Sequence, residues 1–282
     1  MVFVLLIGGI LSSISVNFFS KQYNEKTKHY NLWLFSGMTM LGVLIFFLVQ
    51  AGFQIRVVRE IIPISVIFTI GYAATMVGSV LALQKGPFSI TMLIHSYSLF
   101  PPVLFYLIVL KEKISIFSYF GIGLLLLSLL FLREKKKEGS FSWEWLLWVV
   151  ISFAGNSICS IMMKMQQVKF DGRYKNEMMI YAMLVLAVIF FTTGILKVKN
   201  GKAEITDAAL YGLPRGAMNG ISSFLSLLLL ELIPAAIAGP LTAGGNIVMA
   251  FILAVGYYHE KLSKSQLAGY LLGTISVIFL NM

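Results

Sequence analysis

Charge is scarce in this chain. Asp, Glu, Lys and Arg make up only 12% of its 282 residues, against roughly 25% in a soluble domain. Cysteine is nearly missing. Cys159 stands alone in an apolar stretch, which excludes an internal disulfide and a cysteine metal cluster. It reads as a small packing residue. Histidine occurs at His29, His95 and His259 only, far apart in the sequence. There is no H-E-x-x-H, no G-x-S-x-G and no paired Asp within an apolar run, so the marks of an intramembrane enzyme are missing. A nucleotide-binding glycine loop is missing too, so any driving force must be a gradient.

What is abundant is apolar surface. Hydrophobic residues make up 58% of the chain, and the mean hydropathy is +0.86. A soluble core cannot absorb that much, but a bilayer can. A spanning helix needs roughly 20 apolar residues. Spans are expected at 2–20, 31–50, 61–84, 87–110, 114–132, 144–163, 177–196, 208–232, 234–257 and 264–281. They consume nearly the whole chain. The fold class is therefore all-α integral membrane, with ten transmembrane helices. The first run, MVFVLLIGGILSSISVNFF, resembles a signal-peptide core but lacks the basic leader, and it reads as a retained first span.

The net charge is +10. All Lys and Arg except Arg215 lie at span ends or in connections, where they meet lipid headgroups and set topology. No basic stripe with interleaved aromatics exists outside the spans, so nucleic acid is not an expected partner. The most charged stretch is Arg133–Ser140, near the midpoint. It divides the chain into 1–132, a charged linker 133–143, and 144–282. Odd-numbered connections hold 13 Lys and Arg and even-numbered ones hold 8. By the positive-inside rule both termini then lie outside.

An internal repeat runs through both halves. Leu110-Lys111-Glu112-Lys113-Ile114-Ser115 ends the fourth span. Tyr258-His259-Glu260-Lys261-Leu262-Ser263 ends the ninth. Both read Glu-Lys-aliphatic-Ser, and Ser115 and Ser263 are each placed to cap the next helix. Upstream, Lys85-Gly86-Pro87 and Leu232-Ile233-Pro234 make matching tight hairpins, with Pro near the first helical turn. More weakly, setting Lys21 against Lys164 puts Ser13 over Asn156 and Asn17 over Ser160. Five spans per repeat is an odd number, so the halves cross the membrane in opposite senses. Inverted repeats serve alternating access in many secondary transporters.

At these residues the chain resembles the drug/metabolite transporter superfamily, in its ten-helix EamA-like branch. The segments 82–115 and 231–263 look like that family's paired helix 3–4 and helix 8–9 regions. The resemblance implies a multi-pass transporter in a cell membrane, the bacterial inner or plasma membrane. It implies both termini in the cytoplasm, against the charge count. It also implies a cavity lined by spans 1, 3, 4, 6, 8 and 9, with Glu112 and Glu260 as structural markers at helix ends.

Polar residues at helical spacing fall on those same six spans. Span 8 carries Arg215, Asn219, Ser222 or Ser223, and Ser226. Span 4 carries Thr91, His95, Ser98 and Pro102. Span 9 has Thr242 and Asn246, span 1 has Ser13, Asn17 and Ser20, span 6 has Ser152, Asn156 and Ser160, and span 3 has Thr69, Tyr72 and Ser79. Such residues either line a polar path or glue helices together. Arg215 stands out, because a charge at the centre of a spanning helix costs about 3 kcal/mol. It snorkels beside Pro214, pairs with a carbonyl, or meets a carboxylate or phosphate. His95 can either titrate near neutral pH and so couple protons, or donate a hydrogen bond to a neighbouring helix. Glu231 and Lys85 read as interfacial.

The candidate substrate-binding set is Arg215, Asn219, His95, Asn246, Asn156, Asn17, Tyr72 and Ser13. The expected function is secondary transport of a small polar or amphipathic metabolite, such as an amino acid or other carboxylate-bearing solute. An organic-cation or quaternary-ammonium carrier and a lipid-linked sugar flippase are the alternatives. No cofactor or metal is expected, and coupling to protons or another ion stays open. Expected partners are the solute and membrane lipids. Gly269-x-x-x-Gly273 supports either a homodimer or packing within the chain.

Overall fold

The computed structural model describes residues 2–27, 31–85, 94, 97–131, 142–198, 201–252 and 263–280. Ten α-helices lie among them: α1 (Val2–Lys26), α2 (Leu32–Gln50), α3 (Ile62–Lys85), α4 (Phe100–Ile108), α5 (Ile116–Phe131), α6 (Trp143–Phe170), α7 (Lys175–Leu196), α8 (Lys202–Leu232), α9 (Ala235–Ile252) and α10 (Lys264–Leu280). Each falls on one expected span. No strand occurs among the described residues. Among the described residues, five stretches are long and apolar enough to cross a membrane: Val2–Ser20, Leu32–Gln50, Arg59–Ser79, Trp143–Phe170 and Lys175–Leu196.

The helix starts follow from local chemistry. Asn31 is extended (φ −123°) and its Oδ1 accepts the Leu34 amide at 3.0 Å, which opens α2. Ser115 Oγ accepts the Ser118 amide at 3.0 Å, and Ser142 Oγ accepts the Trp145 amide at 3.1 Å. At α10, Ser263 Oγ accepts from Gln266 N while Gln266 Oε1 accepts from Ser263 N. That reciprocal pair is a capping box. The two Ser residues read from the repeat therefore do cap the helices that follow them.

Some boundaries differ from expectation. α8 begins at Lys202 rather than 208, because Glu204 in its first turn is buried against Asn31. α6 runs on to Phe170 rather than ending at 163, because the Lys164 charge is paired. The fourth span was expected as one helix over 87–110. Its described part is a 3-10 turn at Tyr97–Leu99 followed by α4, where Pro101 and Pro102 interrupt the backbone donors.

The chain forms two compact units. One comprises Met1–Thr69 and Met165–Glu231, the other Ile70–Lys164 and Leu232–Met282. Each draws on both halves of the sequence. In the first unit α2 packs extensively against α7, its repeat mate. α2 also lies close on α8. A Cβ on Gly42 would sit 2.9 Å from Gly216 Cα, so only glycine allows that approach. In the second unit α5 packs extensively against α10, again its repeat mate. α9 packs on α10, where Gly273 meets Ile247. Gly269 and Gly273 are both buried. Gly273 thus takes part in packing within the chain.

Candidate functional site

In the first unit, polar chemistry centres on Arg215. α8 is 31 residues long, and Arg215 is the fourteenth. At 1.5 Å per residue it lies about 20 Å from the helix start. It is thus nearer the middle of its helix than its position in the expected span implied. Arg215 Nε donates to Ser20 Oγ on α1 at 2.7 Å. That hydroxyl itself donates to Val16 O at 2.8 Å. The guanidinium carbon lies 5.4 Å from the centroid of the Phe35 ring on α2, a cation–π contact.

A chain of contacts continues behind that ring. Phe35 and Tyr23 stack at 4.1 Å with an interplanar angle of 3°. Tyr23 is fully buried. Its hydroxyl accepts the Asn31 amide at 3.0 Å and donates to Asn31 O at 3.2 Å. The Asn31 side-chain amide donates to Glu204 Oε1 at 2.6 Å and to Gly194 O at 3.1 Å. Glu204 and Arg215 are 11 residues apart on α8, close to three turns, so they share one face.

The first unit holds a second charged contact. Lys175 Nζ at the start of α7 meets Glu231 Oε1 at the end of α8 at 2.7 Å. The α6–α7 link turns back at Asp171, Gly172 and Tyr174, all at positive φ. A side chain on Gly172 would collide with the Glu231 carboxylate.

In the second unit, the polar face of α6 is laced to its neighbours. Ser152 Oγ meets Ser79 Oγ on α3 at 2.7 Å. Asn156 Nδ2 donates to Ser98 Oγ at 2.6 Å, and Ser157 Oγ donates to Ser98 O at 2.9 Å. Neither Pro101 nor Pro102 has an N–H, so Ser98 O has no donor three or four residues on. Ser157 supplies one. Tyr106 on α4 donates to Ser160 O at 2.8 Å. One turn further, Lys164 Nζ lies 3.0 Å from Glu112 Oε1. Glu112 Oε2 accepts the Ala236 amide at 2.9 Å and so caps α9. Glu112 is thus a structural junction of α4, α6 and α9, and its repeat mate Glu260 lies outside the described residues. Lys85, at the end of α3, pairs with Glu144 at the start of α6.

The EamA-like transporter family matches residues 143–282. The chain belongs to that family. A protein of known crystal structure is similar over 99% of this chain and 98% of its own, at a TM-score of 0.75 and 14% identity. At that identity the likeness shows the fold alone. No curated protein matches the sequence significantly. This EamA-like transporter is a multi-pass membrane protein that serves a small-molecule solute.

The expected site residues of the transporter divide between its units. Arg215 and Asn219 lie half-buried on α8, and Ser13 lies half-buried on α1. Arg215 reaches α1 one helical stretch away from Ser13, at Ser20. Asn17 also lies on α1, but its side chain is outside the description, and His95 lies outside the described residues altogether. In the second unit Tyr72 is half-buried on α3. Asn156 meets Ser98. Asn246 on α9 carries a buried Oδ1 without a hydrogen-bond partner. Among the described residues no His, Cys, Asp and Glu group has the makings of a metal site.

Tyr23, Asn31, Phe35 and Glu204 escaped the sequence reading. Tyr23 and Asn31 flank the charged segment after the first span, and Glu204 sits in the one before the eighth. Both segments read as connections. Asn31, immediately before an apolar run, was the one available signal.

Proposed function

We propose that this EamA-like transporter is a secondary carrier for a small polar or amphipathic metabolite bearing a carboxylate or similar anionic group, moved by alternating access. The observation that carries this is the position of Arg215. It is a charged residue near the middle of a long helix, and about 3 kcal/mol must be offset to keep it in a membrane. Ser20 and Phe35 offset part of that by contact. A guanidinium presents a planar fork of donors that suits a carboxylate or phosphate. A solute that bears such a group is one that this side chain can bind.

The carrier uses a gradient, because no nucleotide-binding loop is present in the sequence. Protons or another ion can couple to it. The test is exchange in proteoliposomes loaded with amino acids or organic acids. Wild type should exchange one carboxylate-bearing solute across the bilayer, and Arg215→Ala should lose at least 90% of that rate, roughly the tenfold that 1.4 kcal/mol of binding energy represents. Equal exchange by both proteins would overturn the role of Arg215.

A further inference from the structure

Beyond its own contacts, Arg215 stands on an aromatic platform. We infer that the stacked pair Phe35–Tyr23 positions the Arg215 guanidinium, so that Phe35 is a positioning residue for anion recognition. The inference rests on the reading of Arg215 as the anion anchor.

Two constraints define the pose of a guanidinium: an edge and a face. Ser20 fixes the edge, by accepting from Nε at 2.7 Å while its own proton is committed to Val16 O. Phe35 bounds the face, because the guanidinium carbon lies over its ring, 5.4 Å from the centroid. A flexible ring could not do so. Phe35 is held by Tyr23, parallel to it within 3° at 4.1 Å. Tyr23 is held in turn by its hydroxyl, which bridges Asn31 N and Asn31 O. Asn31 is immobilised by Leu34 N, Gly194 O and Glu204 Oε1. Each link uses an ordinary contact, and together they run from the first turn of α8 back to its middle.

Phe35 also belongs to an apolar cluster with Tyr23, Leu34, Met38 and Ala208. Simple packing is the competing explanation. The two differ in what they demand of position 35. Packing needs apolar volume. Positioning needs an aromatic face.

The test is the rate at which phenylglyoxal modifies Arg215, read by mass spectrometry on the full-length protein in detergent. Arg173, with a side chain 70% exposed, is the internal reference. Phe35→Met keeps volume and removes the face, and Phe35→Tyr keeps the face. Arg215 should react about threefold faster in Phe35→Met, the shift that a cation–π contact of ordinary strength supports. Phe35→Tyr should react as wild type does, and Arg173 should not change. An unchanged Arg215 rate in Phe35→Met, or an equal change in Phe35→Tyr, overturns the platform. Should Phe35→Met not fold, Tyr23→Leu removes the supporting ring and carries the same expectation.

A second arm separates this claim from the one beneath it. Succinate, glycine and inorganic phosphate are each added to the wild type. Protection of Arg215 by one of them, with Phe35→Met unchanged, overturns the platform alone. A faster Phe35→Met with no protection by any of the three supports the platform and overturns the anion reading.

Discussion

The Glu112 carboxylate lies 3.0 Å from the Lys164 ammonium through one oxygen and 2.9 Å from the Ala236 amide through the other. Both side chains are nearly hidden, at 13% and 11% exposed. Breaking such a pair by removing one partner leaves a lone charge, which costs about 3–5 kcal/mol. Lys164→Met should therefore unfold far more easily in mixed micelles. The double substitution Glu112→Gln with Lys164→Met should recover part of the loss, because no lone charge remains and the Gln carbonyl still accepts from Ala236. Strictly additive losses in a double-mutant cycle would show that the two side chains do not interact.

Ser157 replaces a donor that two prolines remove. Ser157→Ala should remove the hydrogen bond that reaches Ser98 O from another helix and cost about 0.5–1.5 kcal/mol. Ser157→Thr keeps the hydroxyl and should fold close to wild type. Ser15 is the control, since its hydroxyl only serves the carbonyl of Leu11 on its own helix and is exposed. Equal losses in Ser157→Ala and Ser15→Ala would contradict the assignment.

Gly216 and Gly123 should respond oppositely to the same change. A Cβ on Gly216 would lie 2.8 Å from Gly42 Cα and closer still to the Thr39 carbonyl. Those are backbone atoms and cannot swing away, so Gly216→Ala should cost at least 1–3 kcal/mol, the order of an overpacked core. A Cβ on Gly123 meets nothing within 4 Å. Gly123→Ala should be neutral or stabilise by about 0.5–1 kcal/mol through helix propensity. Expression and melting temperature of the two variants check the contrast.

Much of the architecture was legible from hydropathy alone. The seventh span was expected at 177–196 and α7 runs Lys175–Leu196. The caps at Ser115 and Ser263 followed from the repeat. Two of the boundaries that failed did so for one reason: polar residues near span ends were read as connections. Lys164 and Glu204 are polar in sequence but buried in the fold, because each finds its partner more than 50 residues away, at Glu112 and Asn31. Hydropathy windows carry no information about such pairing.

The candidate site was less legible. Arg215 declares itself, since a charge in an apolar run has few explanations. The stripe on α6 was visible too, but its use was not. Ser152 and Asn156 reach Ser79 and Ser98 on other helices, which is the gluing role that a stripe shares with a lining role. The Phe35–Tyr23 stack could not be read at all, because aromatic residues in a membrane chain are too common to mark a site.

The most direct measurement of the central claim is thermal stability of the purified protein in detergent against a solute panel. Amino acids, organic acids, nucleotides, sugars and organic cations are tested on wild type, Arg215→Ala and Arg215→Lys. A solute that binds the native state at 100 times its Kd adds about 2.7 kcal/mol. The account predicts that a carboxylate-bearing solute stabilises the wild type and not Arg215→Ala, with Arg215→Lys weakened because it lacks the planar fork. Equal stabilisation of wild type and Arg215→Ala, or a response to organic cations alone, would contradict it.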